Sequence, residues 1–161
     1  VFTALPVGHA AKARRAFPAI ALKSIENAIA TSENKHSGEL RFAVEGSLDP
    51  AALWHGMSAR QRAIDIFAQL RVWDTEENSG VLIYVLLAER RVEIVADRGI
   101  NRRVDDSVWR DVCAAMEAAF RHGRYADGAI AGVESISCLL TTHFPALSEN
   151  PNELDNAPVR L

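Results

Sequence analysis

The chain has 161 residues, of which 48% are hydrophobic and 24% charged. That length and balance fit one globular domain with its own core, and argue against global disorder. A formal net charge of −3 and a pI near 6.0 argue against nucleic-acid partners, which need excess positive charge.

Residues 1–16 carry Pro6, Gly8 and a basic patch of Lys12, Arg14 and Arg15, and are expected to form a flexible N-terminal arm. Pro18 suits the first turn of a helix, and Leu22, Ile25 and Ile29 continue at helical spacing until Gly38. The run Glu39-Leu40-Arg41-Phe42-Ala43-Val44-Glu45 alternates polar and apolar, which predicts a strand near a sheet edge with one face buried. Residues 46–56 read as a loop holding Asp49-Pro50 and Trp54. Ser58 and Gln61 make a capping box for an amphipathic helix with Ala63, Ile64, Phe67 and Leu70.

An acidic loop over residues 74–80 precedes Val81 to Leu87, a strand apolar on both faces and so central. Ala88-Glu89-Arg90 connects it to a second alternating strand over residues 91–97, which gives a β-hairpin. Two helices follow. Asp105 or Asp106 caps the first and Gly123 ends it, while Pro145 terminates the second. Residues 146–161 are expected to form an extended C-terminal tail, loose or laid along the surface. This order predicts an α/β fold, a three-layer α/β/α sandwich with a small mixed β-sheet flanked by helices. Cys113 and Cys138 fall in apolar-periodic segments and read as buried thiols. No stretch reaches the roughly 20 apolar residues that cross a bilayer, and no signal-peptide core is visible. The expected location is therefore cytoplasmic, peripheral to the membrane, although the chain starts at Val1.

The segment from Asn78-Ser79-Gly80-Val81-Leu82 through Ala88-Glu89-Arg90-Arg91 to Ile94 resembles the core signature of the TPM-domain family. That signature is an Asn-Gly-Val-Leu strand, an Asp-Arg-Lys turn and an alternating strand. Ser37-Gly38-Glu39-Leu40 is similar to the family's opening, and the resemblance covers residues 17–145. Within the family the chain resembles the short bacterial members, which are related to thylakoid lumen proteins of photosystem repair. The resemblance implies an α/β/α sandwich. It also implies one of the roles described for members: phosphatase, calcium- or metal-binding module, or assembly factor for membrane complexes. Two departures stand out. Asp97-Arg98-Gly99-Ile100-Asn101 replaces the usual Gly-Tyr-Gly-Leu-Glu, and Glu89 replaces the turn Asp.

Strand direction places Glu76, Glu77 and Asn78 near Asp97 and Asn101, with Asp105 close by and His36 and Glu39 on the same edge. Carboxylates with amide oxygens suit Ca²⁺ or Mg²⁺. The ordinary alternative is that these acids are solvated loops and helix caps. Arg98 and Arg102 are candidates to hold an anion, or else to pair with the neighbouring acids. No nucleophile elbow, phosphate loop or zinc-ligand spacing is present. Two functions follow. One is a non-enzymatic interaction and assembly module that binds a divalent metal, has a membrane-associated protein partner and helps maintain an envelope complex. The other is a metal-dependent, acid-phosphatase-like hydrolase.

Overall fold

A computed structural model describes residues 7–147 and 151–161. Its elements are α1 (Val7–Ala16), α2 (Ala19–Glu33), β1 (Glu39–Glu45), α3 (Pro50–Trp54), α4 (Ala59–Gln69), β2 (Gly80–Leu86), β3 (Arg91–Ala96), α5 (Arg98–Asn101), α6 (Asp106–Arg121), α7 (Tyr125–His143) and β4 (Val159–Arg160). The sheet runs β3-β2-β1-β4. β1 pairs parallel with β2, Glu39 opposite Gly80, and β2 pairs antiparallel with β3, Val81 opposite Ala96. This is the expected mixed sheet between helices.

Alternation along the strands divides the core in two. Leu40, Phe42, Val44, Val81, Ile83 and Val85 face α1, α2, α6 and α7. Ala43, Leu82, Tyr84 and Leu86 face the thinner layer built around α4. β2 is buried along its whole length, as an apolar central strand must be. The capping box forms as expected: Ser58 Oγ accepts from the Gln61 amide at 3.1 Å, and Gln61 Oε1 accepts from the Ser58 amide at 2.9 Å.

Three expectations need correction. In place of the expected flexible arm, residues 7–16 form a helix whose Ala13, followed by Phe17 just beyond its end, is buried in the core; residues 1–6 lie outside the described residues. The 46–56 loop contains the short helix α3, with Asp49 Oδ1 accepting from the Ala52 amide at 2.7 Å and Pro50 opening its first turn. β1 does lie near the sheet edge, but it is not open on one face; all seven of its residues are buried. The tail supplies the reason. Residues 151–161 lie along the surface and add β4 parallel to β1, with Ala43 opposite Val159, while residues 148–150 lie outside the described residues.

The three charged side chains of β1 therefore need partners inside the protein. Glu45 receives two bonds from Arg62, Nε to Oε2 and Nη2 to Oε1, both at 2.9 Å, and a third at 2.5 Å from the Tyr84 hydroxyl. The bonds to Glu45 push Arg62 above its ordinary range, while burial first, and then Glu45, raises the Tyr84 phenol. Arg41 Nη1 donates to the Asp155 carbonyl at 2.9 Å. Removing the carboxylate would leave Arg62 and Tyr84 unsatisfied beneath α4. We expect Glu45→Ala to cost about 3 kcal/mol in chemical denaturation. A loss below about 1 kcal/mol would mean that water replaces the carboxylate without penalty.

Candidate functional site

The starts of β1 and β2 and the end of β3 meet at one end of the sheet, so the 74–79 loop approaches residues 97–99. The contact is close. The Gly99 amide donates to the Asn78 carbonyl at 2.9 Å, and a Cβ on Gly99 would lie 2.3 Å from the Glu77 carbonyl oxygen. Only glycine fits there without moving backbone. Asn78 adopts a positive φ of 54°, which its side chain tolerates.

Of the residues expected on this rim, Glu77, Asn78 and Asp97 come together. Ser37 Oγ donates to Glu77 Oε1 at 3.3 Å. Asp97 caps α5 with Oδ1, which accepts from the Arg98 amide at 2.8 Å, while Oδ2 is buried and has no partner among the described residues. Glu76 points its amide at the tail, donating to Glu153 Oε2 at 3.0 Å. Asn101 lines a different groove, beside β3. Asp105 sits at the N-cap of α6 without a side-chain cap bond. Arg98 and Arg102 are exposed, and Arg102 Nε donates to the Arg98 carbonyl at 3.0 Å rather than forming a clamp with it. No three His, Cys, Asp or Glu side chains among the described residues are grouped to hold a metal ion. The rim thus offers a free oxygen at Asp97 but no closed ligand shell.

His36 and Glu39 lie at this end but are turned inward. His36 is buried and held neutral, chiefly by burial, with Nδ1 donating to the Gly38 carbonyl at 3.0 Å. Glu39 anchors the tail, with Oε1 accepting from the Glu153 amide at 3.0 Å and Oε2 from the Leu154 amide at 3.3 Å. Glu33 shares a hydrogen bond with it. Burial, and next the Glu39 charge, push Glu33 up to about 8, so this carboxyl stays protonated at neutral pH. Sequence reading missed the pair because Glu33 ends one element and Glu39 begins another, and nothing in their spacing brings them together.

On the far side of the molecule, β3 has an open edge that is guarded rather than free. Arg60 Nη1 donates to the Ile94 carbonyl at 2.5 Å, and the Ile94 amide faces the Cys113 sulfur. Burial pushes the Cys113 thiol up to about 12, which makes it a poor nucleophile. Cys138 is exposed, against expectation, because it lies on the outer side of α7.

The most exposed aromatic side chain on the described surface is Trp54, at 88%, with Leu53 beside it at 53%. Both sit on α3, none of whose five residues is buried. The helix is nonetheless held firmly. The His55 amide donates to the Ala51 carbonyl at 3.0 Å, and the Met57 amide to the Ala52 carbonyl at 3.0 Å. Gly56, at a φ of +70°, closes its C-terminus. An uncharged knob of Leu and Trp on a capped helix therefore stands in solvent.

The family model described as the TPM domain matches residues 15–138. The chain belongs to the TPM-domain family. Among solved structures it is similar to the BA42 protein of the psychrophilic bacterium Bizionia argentinensis, at 30% identity and a TM-score of 0.79, over 90% of this chain and 95% of that one. It is also similar in fold to the N-terminal domain of a protein from P. gingivalis, at 20% identity and a TM-score of 0.63, over 87% and 90% of the two chains. No curated protein matches. The TPM signature falls on β2, the turn and β3. Of the pentapeptide that departs from the family pattern, the glycine that is retained is Gly99, the position where backbone approach permits nothing larger.

The Glu33–Glu39 pair gives this TPM domain an unusual pH response. A carboxyl whose folded pKa is raised stabilises the fold fully below its unfolded value of 4.5 and loses that contribution as the pH rises through about 8. We expect thermal unfolding of Glu33→Gln to be flatter than that of the parent over this window, with the variant gaining relative stability toward its alkaline end. Parallel profiles would show that Glu33 titrates as an ordinary surface acid.

Proposed function

We propose that this TPM domain is a non-enzymatic interaction module that docks, through Leu53 and Trp54 on α3, into an apolar pocket of a membrane-associated protein partner and so serves the upkeep of an envelope complex. The observation behind this reading is the exposure of the knob on a capped helix. Capping at Asp49, Pro50 and Gly56 orders a helix that contributes little to its own core, and a fold gains nothing by ordering Trp54 in water. An exposed Trp on an ordered helix that carries no charge of its own, with polar Asp49, His55 and Arg60 near in sequence, has the make-up of an interface hot spot. The guarded edge of β3 favours recognition by side chains over strand addition. Among the described residues no helix is long and apolar enough to cross a membrane.

The test is the double variant Leu53→Ser, Trp54→Ser at native expression level. Its unfolding temperature should stay within about 1–2 °C of the parent, because both side chains are exposed. In mild detergent extracts the parent should migrate in an assembly much larger than its 17.6 kDa, and the variant at monomer size. A parent that runs as a monomer overturns the reading. So does equal binding of parent and variant to the large species, or binding of the purified parent to protein-free lipid vesicles through Trp54.

A second reading, a Ca²⁺ or Mg²⁺ site at the rim with phosphate-ester hydrolysis built on it, is supported by the buried, unpartnered Asp97 Oδ2. Glu77 and Asn78 would supply the nearest further oxygens, and the remaining ligands would be water. If this reading holds, EDTA-treated protein should gain several degrees in unfolding temperature with excess Ca²⁺ or Mg²⁺, and Asp97→Asn should abolish the gain. An equal response from the variant, or none from the parent, removes the metal and the hydrolase with it.

A further inference from the structure

We propose that the cleft between α1, the β2–β3 turn and the α6–α7 junction binds a small planar anion, a ring bearing a phosphate or carboxylate group. This site is separate from both the acidic rim and the α3 knob. It lies outside the carboxyl end of β2, floored by Val85, Leu86 and Leu87, whereas the rim lies at the strand's start. Open α/β sheets commonly place ligands beyond the carboxyl ends of their parallel strands.

Charge is the first argument. Lys12, Arg90, Arg91 and Arg121 line the cleft against one carboxylate, Glu117, in a chain whose net charge is −3. Arg91 is already engaged, Nη2 donating to Glu93 Oε1 at 3.2 Å. Lys12, Arg90 and Arg121 make no ion pair or side-chain hydrogen bond among the described residues. The dipole of α6 accounts for a cation at Arg121, in its last turn, but not for Lys12 on α1 or Arg90 in the hairpin turn. Arg90 is also held at a φ of 53°, a conformation that costs energy in a residue other than glycine. Cations delivered from three elements to one concavity raise its positive potential and favour an anion there.

Shape is the second argument. One wall is a pair of rings, Phe120 and Tyr125, stacked with centroids 5.5 Å apart and an interplanar angle of 25°. Phe17 braces both edge-on, at 5.8 and 5.6 Å. The wall is therefore rigid before any ligand arrives, and offers a flat apolar surface beside the cations. The cavity measures about 220 Å³, below the usual range for drug-sized ligands, which suits a single ring with its anionic group.

Amide chemical-shift titrations with phenylphosphonate, which resists hydrolysis, with benzoate, with inorganic phosphate and with benzyl alcohol test the site directly. Saturable shifts should gather at residues 12, 87–91 and 120–125 with one or both ring anions, and the tighter of the two identifies the anionic group. Arg90→Ala combined with Arg121→Ala should weaken that binding about tenfold or more. Both side chains are exposed, and the unchanged signals of the sheet would report an intact fold. Tyr125→Leu, with all cations in place, should weaken the ring anions and leave inorganic phosphate unaffected. The proposal is overturned by any of four outcomes: no saturable shift, shifts spread equally to Arg98 and Arg102, unchanged affinity in the double-arginine variant, or inorganic phosphate binding as tightly as phenylphosphonate.

Discussion

β1 is a strand with three charged side chains and little contact with open water. Glu39, Arg41 and Glu45 are all buried, and ionised groups in such a place must be matched or the fold fails. Two parts of the chain supply the partners. Arg62 of α4 and Tyr84 of β2 take Glu45, while the tail takes Arg41 at the Asp155 carbonyl and Glu39 at the Glu153 and Leu154 amides. The polar side of β1 thus fixes where α4 lies and where the tail returns. The apolar side fixes α1, α2 and α7.

That division makes the sandwich lopsided. One sheet face carries most of the helices and the larger core. The other carries α4 and α3 and is completed by polar bonds and by Leu154 and Val159 of the tail. The thin layer leaves room for α3 to project, and the thick layer produces the aromatic wall at the α6–α7 junction. The candidate knob and the candidate cleft therefore follow from the same asymmetry, on opposite sides of one sheet.

The parts of this fold governed by neighbours in sequence were legible. The Ser58–Gln61 capping box, the doubly apolar β2 and the hairpin all rest on local chemistry and appear where the pattern put them. The parts governed by distant partners were not. The alternation of β1 is the same whether water or a returning tail covers its charges, so one face read as open. β4 is two residues long and carries no period of its own. α1 buries Ala13 and little else, too weak a stripe to separate from a solvated arm. The rim was legible in direction but not in detail. Strand order brought Glu77, Asn78 and Asp97 to one end, yet it said nothing of side chains already spent on caps and on the tail.

The bond from Arg41 to Asp155 and that from the Glu153 amide to Glu39 each span 114 residues. Contacts so distant close late, after the loop-closure entropy of the intervening chain has been met. While the polypeptide is still emerging from the ribosome, β1 can pair with β2 and take its place against α2. Its outer edge and two of its charges stay uncovered until residues 151–160 have been synthesised. For that interval the nascent domain exposes an unpaired strand edge, the surface on which neighbouring unfinished chains join by mistake. The tail is thus the fold's latch, and the speed with which it closes sets how long each new molecule is exposed to aggregation.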